Sequence, residues 1–276
     1  MKQKIIILTF LLISSIGGFS QIDFCSPLRI DKYKTENGEK FVIHSKILNQ
    51  DKEIFIGLPK NFNDTTDYPM ILVLEGEVVF ETFAPVTRLM AEVNEVPECV
   101  VVGIPFYNQH LEYAPKISIH PESGNADKML EFYRKELFPL LDSLYNCRKD
   151  RLIWSHSALG GIFCTYVLLG SDKQFNGILS SSPSLQWMSD YVDKENAFDE
   201  LAKKDRVFYY LTFGSNEGDT YMGEMYGRVK KFKERLEKEA PNNLIWRYQL
   251  NENNNHFTNA IETFSDGLIL YFNEMQ

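Results

Sequence analysis

Two short runs in the first half of the chain have no polar face. Met70-Ile-Leu-Val-Leu74 and the stretch from Cys99 to Ile104 are apolar at consecutive positions, which suits strands of a parallel sheet covered on both sides. Leu152 to Trp154, Gly177 to Leu179, Val207 to Phe213 and Leu244 to Leu250 continue the series, preceded by a paired-strand opening at Lys40 to Leu48 and Glu53 to Leu58. Helical periods separate the later strands. Met129, Phe132, Tyr133, Leu137, Leu140, Leu141 and Leu144 mark one, with Pro139 expected to kink or restart it. Met225, Val229, Phe232 and Leu236 mark a second, with Lys and Glu on its other face, and Phe257, Ile261, Phe264, Leu268 and Phe272 a third. Strands alternating with helices predict an α/β fold whose ligand site lies at the carboxyl ends of the strands.

The first twenty residues read differently. Lys2 and Lys4 precede an apolar stretch from Ile5 to Ile13, and small residues end the segment at Gly18-Phe-Ser20. This is the pattern of a secretory signal peptide cleaved after Ser20. The expectation is therefore an exported protein, periplasmic or secreted, with residues 21–276 as a single domain. No later run approaches the ~18 apolar residues of a membrane span. The formal charge of −9 becomes more negative without the two leading lysines, which argues against nucleic acid or an anionic membrane as partner. Cys25, Cys99, Cys147 and Cys164 show no C-x-x-C spacing, and no histidines are spaced as metal ligands. Cys99 and Cys164 lie in apolar runs and read as buried thiols; a Cys25–Cys147 bridge is open to an exported chain.

The chemistry concentrates at Arg151-Leu-Ile-Trp-Ser-His-Ser-Ala-Leu-Gly-Gly161. A buried strand enters a Ser/Gly turn and leaves as an apolar helix, the layout of a nucleophile elbow. The G-x-S-x-G spacing is not met, because Ser157 has Ser155 two before it and Leu159 two after. Further along, the acidic turn Gly214-Ser-Asn-Glu217-Gly-Asp219 follows one strand, and His256 follows the next. The order Ser, acid, His, each beyond a strand's carboxyl end, is that of an α/β-hydrolase triad. Each residue also has a plainer reading. Glu217 and Asp219 suit a polar turn or cap, His256 a solvated loop, and His156 packing beside the elbow.

In the order of its motifs the chain resembles the "Putative esterase" family of α/β-hydrolases, which includes esterase D and the ferric-enterobactin esterases. The similar segments are Leu72-Val-Leu-Glu-Gly-Glu77, Val100-Val-Val-Gly-Ile104, Gln109-His-Leu-Glu-Tyr-Ala-Pro115, Gly124-Asn-Ala-Asp127, Phe138-Pro139, Phe175-Asn176, Ser182-Pro-Ser-Leu185, His256-Phe-Thr258 and Gly267-Leu268. The chain departs from the family pattern at Glu75, Gln109, Glu112 and Ala114, where family members carry Asp, Arg, Asp and Thr. The resemblance implies an α/β-hydrolase with a mostly parallel central sheet and helices on both faces. It implies a serine esterase without a cofactor, acting on a small-molecule ester such as a siderophore or acyl-carbohydrate ester. Ser157 would be the nucleophile, His256 the base and Glu217 the acid, with Asp219 as the alternative acid. Backbone N–H groups at Glu77 and Ala158 would form the oxyanion hole, and His110 and His156 would contact substrate.

The elbow leaves one alternative open. Family members read Gly-His-Ser-x-Gly-Gly, and this chain is one residue longer. Aligned from the strand side, Ser157 is the nucleophile; aligned from Gly160 and Gly161, Ala158 occupies that place. In the second register the protein is a hydrolase-fold binding protein without a nucleophile.

Overall fold

The structure is a computed structural model that describes residues 3–4, 29–34, 37–108, 112–118, 120–147, 150–156, 158–217 and 221–275. A ten-stranded sheet forms its centre, in the order β1-β2-β3-β4-β6-β5-β7-β8-β9-β10. The strands are β1 (Gln3–Lys4), β2 (Ile30–Lys34), β3 (Glu39–Ser45), β4 (Gln50–Gly57), β5 (Met70–Leu74), β6 (Val100–Ile104), β7 (Arg151–Ser155), β8 (Gly177–Ser181), β9 (Val207–Gly214) and β10 (Leu244–Asn251). Strands β1 to β4 run antiparallel to one another, and β4 joins β6 antiparallel. The six strands β6, β5, β7, β8, β9 and β10 are parallel. The expected signal segment and Cys25 lie outside the described residues apart from the two residues of β1. No described helix is long and apolar enough to cross a membrane.

The helices are α1 (Gly76–Glu92), α2 (Ala126–Phe132), α3 (Phe138–Tyr145), α4 (Ala158–Leu169), α5 (Ser189–Val192), α6 (Tyr221–Glu239) and α7 (Thr258–Glu274). Alternation within the strands divides them into two layers. From β5, Met70, Leu72 and Leu74 point into a core shared with α2, α3, α4 and α6. Ile71 and Val73 point the other way, into a core built with Val79, Phe80 and Phe83 of α1 and Phe264, Leu268 and Tyr271 of α7. All five residues of β5 are buried, so the unbroken apolar run reflects cover on both faces. This is an α/β-hydrolase fold.

The expected break at Pro139 takes the form of a wide turn. Between α2 and α3 lies one π-helical stretch, Tyr133–Leu137, and Pro139 opens α3. Proline offers no N–H and crowds the carbonyl four residues earlier, and a widened turn absorbs both demands. Cys99, Cys147 and Cys164 are buried, and among the described residues none is bridged to another.

Candidate active site

The parallel strands meet their reversal of order at β5, with β6 on one side and β7 on the other. The crevice beyond such a switch point is where open α/β sheets bind ligands. Glu75 follows β5 and His156 follows β7. The pairing Val73↔Trp154, continued by two residues, sets them side by side. The His156 Nδ1 donates to Glu75 Oε2. Glu75 is fully buried and adopts a left-handed backbone, φ 60°.

Past β9 and β10 a second pair forms. His256 Nδ1 lies 2.8 Å from Glu217 Oε2, and the Glu217 carboxylate is completely shielded from solvent. The other oxygen, Oε1, accepts the Gly214 N–H at 2.7 Å and the Ser182 hydroxyl. Gly214 has no room for a side chain, since a Cβ there would approach Asn254 O to 2.5 Å and Glu217 Oε1 to 2.9 Å. Asn259 supports the arrangement from α7. Its Nδ2 reaches Ser182 Oγ at 2.7 Å, Ser181 Oγ at 2.9 Å and Thr212 Oγ1 at 3.1 Å, and its Oδ1 accepts from Asn251 at 2.7 Å. A carboxylate saturated this way has one orientation, and so does the imidazole it holds.

At the elbow, β7 ends at Ser155 and α4 begins at Ala158. Gly160 is the glycine that faces the strand end. A Cβ on it would lie 1.9 Å from Ser155 Oγ, 2.7 Å from Ser155 Cβ and 3.2 Å from Glu75 Oε1. Gly161 in turn faces Pro183, with a Cβ distance of 2.8 Å. The glycine pair that looked late in the sequence thus serves close approach to β7 and to the turn after β8. Ala158 is the first residue of the helix, and its carbonyl accepts the Ser184 N–H at 3.1 Å.

The remaining expected residues divide in two. Glu77 lies in the exposed first turn of α1, its Oε2 accepting the Phe106 N–H at 3.3 Å. Ser157, His110 and Asp219 lie outside the described residues. Behind Phe106, the loop after β6 is gripped from beneath by a buried ion pair of Lys52 with Glu112, whose other oxygen accepts the Tyr107 N–H at 3.3 Å. Burial pulls the Lys52 ammonium below its ordinary range, with Glu112 opposing the shift. Two surface clefts of about 730 and 770 Å³ lie elsewhere, and neither is lined by His156, Glu217 or His256. Among the described residues no cluster of three or more His, Cys, Asp or Glu could hold a metal ion.

Sequence reasoning named Glu75 only as a departure from a family pattern and did not name Asn259 at all. An acidic residue ending an apolar strand was the available signal for the first. Nothing in the spacing of Asn259 marks it, because its partners come from three separate segments.

Comparison with known proteins places the geometry in context. The ferri-bacillibactin esterase BesA of Bacillus subtilis is 27% identical over 219 residues, covering 71% of this chain and 75% of its own length. The crystal structure of the BES protein from Bacillus cereus superposes with a TM-score of 0.74 at 24% identity, covering 93% of this chain and 98% of that one. An IroE-like serine hydrolase from Shewanella oneidensis gives 0.75 at 20% identity, with coverage of 86% and 80%. The "Putative esterase" family profile matches residues 45–264, and the chain belongs to that family of α/β-hydrolases.

Proposed function

We propose that the protein is an exported serine esterase that cleaves carboxylic esters through an acyl-enzyme, with Ser157, His256 and Glu217 as its triad. The observation that carries the reading is the Glu217–His256 pair, with Nδ1 held at 2.8 Å by a carboxylate itself bonded to Gly214 and Ser182. With Nδ1 protonated, Nε2 carries the lone pair that a general base needs. Ser157 stands two residues beyond Ser155, where β7 ends, and strand-side spacing of this kind supports it over Ala158 as the residue at the apex.

In this reading His256 Nε2 takes the Ser157 proton as Oγ bonds to the ester carbonyl carbon. The tetrahedral oxyanion is met by backbone N–H groups at Glu77 and Ala158, each such donor being worth about 3 kcal/mol in related sites. Collapse breaks the carbon–oxygen bond to the alcohol, which leaves with the proton from His256. Water, deprotonated by His256, then attacks the acyl-enzyme and releases the acid while Ser157 regains its proton. The relatives point to siderophore esters as a first substrate class, and acyl-carbohydrate esters are a second.

The test is hydrolysis of short-chain nitrophenyl esters by the chain lacking residues 1–20, beside Ser157→Ala and His256→Ala. Turnover lost in both variants is the expected result. Full activity in Ser157→Ala would overturn the assignment, and saturable ester binding without turnover in the parent chain would identify a binding protein on the same scaffold.

A further inference from the structure

The site holds two acid–imidazole pairs of the same polarity. In each, a glutamate with no exposed side-chain surface holds Nδ1 of a histidine whose ring is only slightly exposed: Glu217 with His256, and Glu75 with His156. Phe257, 70% exposed, lies beside both, its ring centroid 5.7 Å from that of His256 and 6.5 Å from that of His156. The two imidazole centroids are therefore no more than about 12 Å apart, a span that one small ester can bridge. The triad uses one pair and leaves the other without a task.

We propose that the Glu75–His156 pair is a substrate subsite, in which His156 Nε2 receives a hydroxyl group borne by the substrate near the ester. The inference rests on the ester-hydrolase reading for its substrate but not for its geometry. Glu75 fixes Nδ1 as the protonated nitrogen of neutral His156, which leaves Nε2 as an acceptor; in the charged form Nε2 becomes a donor. A hydroxyl can donate or accept, so it satisfies Nε2 in either state, whereas an ether or a carboxylate satisfies only the second. Glu75 bears the cost of the arrangement. A carboxylate taken out of water is penalised, and the left-handed backbone at a glutamate adds a further penalty. An apolar residue at position 75 would escape the first penalty, though not the second, and would leave the His156 ring unoriented. The bare Gly160, where a Cβ would come to 3.2 Å from Glu75 Oε1, keeps the space this carboxylate fills. Glu75 is thus a positioning residue that acts through His156.

The experiment uses ¹⁵N-imidazole NMR of the Ser157→Ala chain, titrated with two hydroxy esters and their hydroxyl-free partners. Glyceryl 1-monobutyrate against propyl butyrate reads a hydroxyl on the alcohol side. Ethyl 3-hydroxybutyrate against ethyl butyrate reads one on the acyl side. One hydroxy ester is expected to shift the His156 Nε2 resonance and to bind about fivefold tighter than its partner, the worth of one net hydrogen bond; the side of the ester that responds identifies the source of the hydroxyl. In the Ser157-bearing chain, His156→Gln and His156→Phe should lower the kcat/KM ratio of that hydroxy ester to its partner about fivefold, mainly through KM. Glu75→Gln should broaden the His156 resonances and lower the same ratio. A His156 Nε2 signal that ignores all four esters, or a ratio unchanged in His156→Gln, overturns the proposal. Failure of the serine-esterase reading registers separately, as turnover that survives Ser157→Ala, and leaves the NMR readout intact.

Discussion

Gly160→Ala tests how the elongated elbow is packed. The added Cβ would lie 1.9 Å from Ser155 Oγ and 2.7 Å from Ser155 Cβ. Rotating the Ser155 hydroxyl relieves the first contact but not the second, because the Cβ is fixed by the backbone. Carbon atoms rest at about 3.5–4.0 Å, so the end of β7 and the first turn of α4 must part by about 1 Å. Overpacking of this kind costs about 1–3 kcal/mol. At roughly 2–4 °C per kcal/mol for a chain of this size, Tm falls by roughly 2–12 °C. A displacement of about 1 Å beside a nucleophile also costs about a hundredfold in turnover. The decisive measurement is the cycle with Ser155→Gly, which removes the obstructing Cβ. In the double variant, Tm and nitrophenyl-ester turnover should recover most of what Gly160→Ala lost, giving a coupling of about 1–2 kcal/mol between the sites. Additive losses would mean that Ser155 and Gly160 do not share this contact, and the account of the late glycines would fail.

Glu217→Gln keeps the shape of the carboxylate but offers an amide to His256 Nδ1, favouring the wrong tautomer; kcat for ester hydrolysis should drop about a thousand- to ten-thousandfold with KM little changed, and a loss under tenfold would remove Glu217 from the triad. Asn259→Leu strips donors from the buried Ser181, Ser182 and Thr212 hydroxyls; stability should fall by about 1–3 kcal/mol in urea titrations, accompanied by a lower kcat, and a variant with unchanged kcat would show that this network does not orient Glu217. Burial brings the Lys204 ammonium down from 10.5 to about 8, so between those values the unfolded chain binds more protons than the folded one. Lys204 therefore costs stability in full below about pH 8 and progressively less as pH rises to about 10.5. Lys204→Met should remove that rise, on the order of 2–4 kcal/mol across the window, and parallel stability–pH curves for the two chains would refute it.

The sheet was legible because its strands advertise themselves. An apolar run such as Met70 to Leu74 leaves little choice but cover on both faces, and five buried residues answer it. The Glu217–His256 pair, proposed as acid and base, was suggested by order and placement, since each residue follows a strand. Their partners were not. Ser182, Thr212, Asn251 and Asn259 converge from β8, β9, β10 and α7, and no local period links segments brought together only by the sheet. The glycines at 160 and 161 were visible but unreadable, because their purpose depends on how near Ser155 and Pro183 come. His156 was read as a neighbour of the elbow and a substrate contact, and its partner Glu75 became apparent only through the register of β5 against β7.

The two strained non-glycine residues of the site make the same point energetically. Glu75 and Ser182 both hold positive φ, 60° and 44°, directly after β5 and β8. Glycine would occupy either position without the penalty of about 1–3 kcal/mol that a side chain incurs there. At 182 the hydroxyl donates to Glu217 and accepts from Asn259; at 75 the carboxylate holds His156. A glycine at either place would relax the backbone and release one imidazole. The strain therefore falls on the residues whose side chains fix the two histidines, at the strand ends where the sheet is rigid enough to hold it.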